Sequence, residues 1–166
     1  MIPIPIAPEM YIEEQEFDDM GSVRHSLVQA NLAHLLKLTQ KFTVFIELSL
    51  DANGQDLSAF NVKDELVPDV CGYPNDMLIP RYDILRMTEM PILAIEVQSP
   101  RQGMLVLVQK VGAYFALGVQ SCWIVDPQTQ SVHVFSDPLN SKAFDFSETI
   151  TDRIADVSIQ VSEIFA

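Results

Sequence analysis

Few of the residues that build disulfide frameworks, metal clusters and phosphate loops are present: 166 residues include two cysteines, three histidines and six glycines. Cys71 and Cys122 are far apart and share no spacing pattern, which excludes a stapled scaffold and makes a reducing cytoplasm the expected setting. His25, His34 and His133 have no metal-ligand spacing, so the common zinc motifs are excluded too. There is no glycine-rich phosphate loop and no Gly-x-Ser-x-Gly elbow. Gln, Lys, Arg or Asn interrupts every long carboxylate-free stretch, so no segment reads as a membrane span and no membrane partner is expected. The opening Met1-Ile-Pro-Ile-Pro-Ile-Ala-Pro8 lacks a basic start, and its prolines break an apolar core; it does not read as a signal peptide.

Positive charge is also scarce. Ten Lys and Arg stand against 23 Asp and Glu, a net −13 at pH 7. A field of that sign opposes anionic lipid and the long-range steering of nucleic acid. The charge is unevenly spread, however. Residues 1–21 read as an acidic arm, with six acids and no base between Glu9 and Asp19. Residues 20–46 carry Arg24, Lys37 and Lys41 without an acid, and residues 97–125 carry Arg101 and Lys110 without one. Any nucleic-acid binding is therefore expected to be weak, local and metal-assisted, at a modest cationic rim.

What is present is enough for one domain over residues 22–166, with 48% apolar and 20% charged residues. Ser22 can cap a helix to about Gln40, with Val28, Leu32, Leu35 and Leu36 inward. Thr43 to Leu50 alternates as one strand, with Val44, Ile46, Leu48 and Leu50 on one side. A loop rich in turn residues is expected through Gly72, Pro74 and Pro80. Ile92 to Val97 reads as a buried central strand ended by Pro100. A helix from about Gly103 to Leu117 follows, with Met104, Val108, Val111 and Phe115 inward and Gly118 as its left-handed end. Cys122 to Asp126 is a second buried strand, Ser131 to Phe135 its hairpin partner, and the tail from Asp152 to Phe165 ends in a short helix. This order describes an α/β domain with a mixed central β-sheet flanked by helices.

Two acids interrupt apolar runs: Asp69 in Leu66–Val70 and Glu96 in the central strand. A carboxylate in a buried strand is costly unless it is paired or binds a cation. Two of them converging at one sheet edge suit Mg2+ or Mn2+, which prefer hard oxygen ligands and retain waters. The alternative is that each acid caps a turn or pairs with Arg81 or Arg86. Lys110 follows Glu96 by 14 residues on the next helix, and its stem can return the ammonium to the strand edge; the alternative is an ordinary solvated lysine. Glu47, on the non-core face of its strand, can join the acids. His25 can border a site from the start of the first helix, although a surface position is the expectation.

Val67-Pro-Asp-Val70, Ala94-Ile-Glu-Val-Gln-Ser-Pro100, Lys110-x-x-x-Tyr114-x-x-x-Gly118-Val119 and Cys122-Trp-Ile-Val-Asp-Pro127 occur in order. Together with the closing Glu163-Ile-Phe165, they resemble the Uma-two family of restriction-endonuclease-like proteins, within the PD-(D/E)XK nuclease superfamily. The resemblance spans roughly Ser22 to Phe165. It implies a restriction-endonuclease-like fold, a metal held by Asp69, Glu96 and the Val97 carbonyl, and Lys110 as the lysine that orients water and offsets phosphate charge. The superfamily's usual lysine position, two residues after the Glu, holds Gln98, which can hydrogen-bond water but supplies no charge. Arg101, Gln102 and Val106 also depart from the family's pattern after the strand. The resemblance implies a metal-dependent nuclease and, because such domains often work in pairs, a homodimer. The readings that compete with it are a catalytically inactive relative serving as a dimeric interaction or regulatory protein, and a hydrolase of small phosphorylated molecules.

Overall fold

A computed structural model describes residues 21–52, 54–62 and 65–166; the acidic arm, apart from Gly21, lies outside the described residues. Helix α1 spans Val23–Leu38, and Ser22 caps it as expected, its hydroxyl accepting the His25 N–H at 3.2 Å. There follow β1 (Phe42–Ile46), β2 (Leu50–Asp51), a 3-10 turn (Ser58–Phe60), β3 (Glu65–Leu66), β4 (Val70–Pro74) and β5 (Leu93–Val97). Helix α2 (Met104–Leu117) leads to β6 (Ser121–Asp126), β7 (Ser131–Asp137), β8 (Asn140–Phe144), β9 (Thr149–Asp152), β10 (Val157–Gln160) and α3 (Val161–Ile164).

The main sheet has the order β1-β4-β5-β6-β7-β8. Within it β5 and β6 pair in parallel, joined by the α2 crossover, and the other neighbours are antiparallel. Successive side chains of a strand face opposite ways. Thus Ile95 and Trp123 pack with Val28, Leu32, Leu36 and Ile164 on the α1 side, while Ala94 and Ile124 pack with Leu107, Val111 and Tyr114 of α2. The β9–β10 hairpin closes the α1 side. Asp152 anchors it to the sheet, accepting hydrogen bonds from Ser121 Oγ and Trp123 Nε1 at 2.5 and 2.8 Å. Among the described residues no helix is long and apolar enough to cross a membrane.

Four expectations need correction. The alternating run from Thr43 to Leu50 is not one strand: Glu47 adopts φ +53°, separating β1 from β2. Val44 consequently packs on the α1 side, Leu48 and Leu50 on the α2 side, and Ile46 is exposed. Gly72 and Pro74 lie in β4 rather than in a loop; Gly72 is used there because a Cβ would come within 2.9 Å of the Phe42 ring. The inner face of α2 is Leu107, Val111 and Tyr114, and Met104 and Val108 are partly exposed. The tail adds β10 before its short helix, preceded by β8 and β9.

Candidate active site

The antiparallel register of β4 and β5 creates the site. Val70 lies opposite Ile95, so the next step outward sets Asp69 beside Glu96. Asp69 is in the bend just before β4, and its Oδ2 accepts the Val97 N–H at 2.6 Å. Its Oδ1 is 3.2 Å from His25 Nε2. Gln29, one helical turn after His25, donates to the Asp69 carbonyl at 2.9 Å. The left-handed turn at Glu47 brings its own N–H to the same carbonyl at 3.3 Å.

Glu96 is only 3% exposed and points to the α2 side. Tyr114 donates its hydroxyl to Oε1 at 2.5 Å, and Lys110 Nζ lies 3.6 Å from Oε2. Lys110 and Tyr114 are four residues apart, hence neighbours on one helix face. Burial pushes the Glu96 carboxyl up to about 7; the Lys110 ammonium opposes the shift and the Asp69 charge adds to it. The His25 imidazole is raised by its hydrogen bond to Asp69, against the opposite pull of burial.

Asp69, Glu96, Val97, Lys110, Glu47 and His25 all line one open cleft of about 450 Å³. His25 is buried at this cleft, contrary to the surface position expected for it. It stands three residues before Val28 and seven before Leu32, so the apolar periodicity of α1 already carried the signal. Gln98 does not join the cleft: its Nε2 donates to the Gln102 carbonyl at 2.8 Å, and it lines a neighbouring cleft. Arg101 is exposed in the turn after Pro100 and is not among the lining residues. The cation facing Glu96 is Lys110, while Arg81 lines a separate cleft with Phe45 and Leu48. Gln29 and Tyr114 carry no clear signal of a role in the sequence, although the Lys110-x-x-x-Tyr114 spacing places the tyrosine on the lysine's face.

Over residues 11–162 the chain matches the Uma2 family, described as "Putative restriction endonuclease". The chain belongs to the Uma2 family. Its structure is similar to the crystal structure of a "putative nuclease belonging to DUF820" from Anabaena variabilis. The two share 20% identity and a TM-score of 0.68, over 88% of this chain and 82% of the other. A search of curated proteins finds no match. The fold of this Uma2 chain is restriction-endonuclease-like.

The donor set suits a hard divalent cation. The two adjacent carboxylates repel each other, as the effect of Asp69 on Glu96 shows, and a cation between them would relieve this. Among the described residues no group of three or more His, Cys, Asp or Glu is placed to hold a metal.

Proposed function

We propose that this Uma2 chain is a metal-dependent nuclease that hydrolyses phosphodiester bonds in the Asp69–Glu96 cleft, with Mg2+ or Mn2+ held by Asp69, Glu96 and the Val97 carbonyl. The observation that carries this reading is the meeting of Asp69, Glu96 and Lys110 in one cleft, with Glu96 buried and fixed from α2. When bound, such a metal neutralises phosphate charge and makes a water more acidic. The chain's own residues set the geometry. The Val97 amide and His25 hold Asp69 from two sides, and the Tyr114 hydroxyl holds one oxygen of Glu96. Lys110 orients the attacking water and offsets the negative charge that develops on the phosphate, a contribution worth most in a partly water-excluded site.

Family membership and the fold support the nuclease reading, and the oxygen-only donor set supports metal dependence. The test is cleavage of supercoiled plasmid and of single-stranded oligonucleotides with Mg2+ or Mn2+. Wild type should cleave, and Lys110→Ala should be slower by about 10²–10³-fold, the usual cost of removing one charge-stabilising donor. Equal inertness of both proteins across these substrates would instead favour a non-catalytic regulatory relative.

A further inference from the structure

We propose that the cleft next to the candidate active site binds the nucleotide flanking the scissile phosphate, with Arg24 on its phosphate and the amides of Gln128 and Gln130 at its base. This inference rests on the nuclease reading above and adds a substrate subsite to it.

The two clefts share walls. Arg24 immediately precedes His25, and Gln98 immediately follows Val97; consecutive Cα atoms are only about 3.8 Å apart. The second cleft has about 350 Å³, within the size range of small-ligand sites. No carboxylate lines it, which is notable in a chain carrying 23 acids.

Its chemistry matches a nucleotide at three points. First, Arg24 is exposed and has no ion-pair partner among the described residues. It lies in the first turn of α1, which contains no acid. The positive end of a helix and a guanidinium at the same place repel, and an anion between them would relieve that repulsion. The planar guanidinium also fits two phosphate oxygens at once. Second, Gln128 and Gln130 line the cleft, and Gln128 is exposed. Side-chain amides contact base edges by both donating to and accepting from them. Third, Pro100 and Pro127 give the cleft an apolar wall for the face of a base.

The test is fluorescence anisotropy with a short labelled single strand, deoxyribose or ribose, with Ca2+ replacing Mg2+ to limit cleavage. Arg24→Ala should weaken binding and flatten the dependence of log affinity on log salt by about 0.7, the share of one phosphate contact on a single strand. Gln128→Ala should reduce discrimination among homopolymers with little change in that slope. Calorimetric Mg2+ affinity and the unfolding midpoint of Arg24→Ala should match wild type or exceed it. Equal affinity and salt slope in wild type and Arg24→Ala would overturn the subsite while leaving metal-dependent cleavage intact. A wild type that neither binds Mg2+ nor cleaves would overturn the nuclease reading and the subsite together.

Discussion

Both carboxylate oxygens of Asp69 are engaged by the protein, one by the Val97 amide and one by His25. Outer-shell partners of this kind fix a ligand's orientation, and their loss typically costs about 10–100-fold in metal affinity. His25→Ala should therefore weaken Mn2+ binding by roughly that factor without abolishing folding, and His25→Gln, which keeps a donor, should recover part of it. Calorimetry with circular dichroism as a folding control checks both. Glu96 makes a pH prediction. Its folded carboxyl titrates near 7, against roughly 4.3 for an unperturbed Glu in the unfolded chain. Folding therefore favours the protonated form, and this contribution to stability is complete below the unfolded value and lost as pH rises through 7. His25, also raised, acts in the same direction. In EDTA the melting temperature should fall between about pH 5 and pH 7, and Glu96→Gln should reduce the slope. A flat profile in wild type would contradict the buried, proton-accepting Glu96. The meeting of Asp69, Glu96 and Lys110 in one cleft was legible because an acid in an apolar run and a lone lysine on the next helix stand out in sequence. Gln98 was misplaced because it follows the last residue of β5, where the local turn redirects its side chain towards Gln102.

The helices and the β5–α2–β6 crossover follow from their apolar periodicity and their end signals. The C-terminus of α2 shows this most clearly, with Gly118 at φ +107° and no atom within 4 Å of where a Cβ would lie. Gly118→Ala would therefore pay only for the left-handed backbone, about 1–2 kcal/mol. Urea unfolding should show a loss of that size; no loss would mean that α2 can end differently. The rotation of α2 was less legible, because Leu105-Val-Leu-Val108 offers apolar residues all round and period alone does not choose among them. Contact with Glu96 chooses: Tyr114 and Lys110 must face β5, and Leu107 and Val111 are buried with them. The break at Glu47 could not be read from an unbroken alternating pattern. Its cause is tertiary, since Leu48 and Leu50 are needed against α2 whereas Val44 is needed against α1.

Over the whole molecule, the layer order puts the site where two structural demands meet. The α1 layer supplies His25 and Gln29, the α2 layer supplies Lys110 and Tyr114, and between them lie Asp69, in the bend before β4, and Glu96, in β5. The net −13 fits this arrangement. Long-range attraction of a polyanion is opposed, so under the proposed nuclease function recognition would fall to local groups: the metal, Lys110 and Arg24. Composition alone gave the sum of the charge; the fold shows Arg24 and Lys110 lining adjoining clefts. Calorimetric titration of wild type and Glu96→Ala with Mn2+ decides whether Asp69 and Glu96 form one divalent-cation centre. Saturable binding to wild type at one site is expected, with its loss in folded Glu96→Ala, whereas equal binding to both proteins, or none to wild type, would contradict a shared centre.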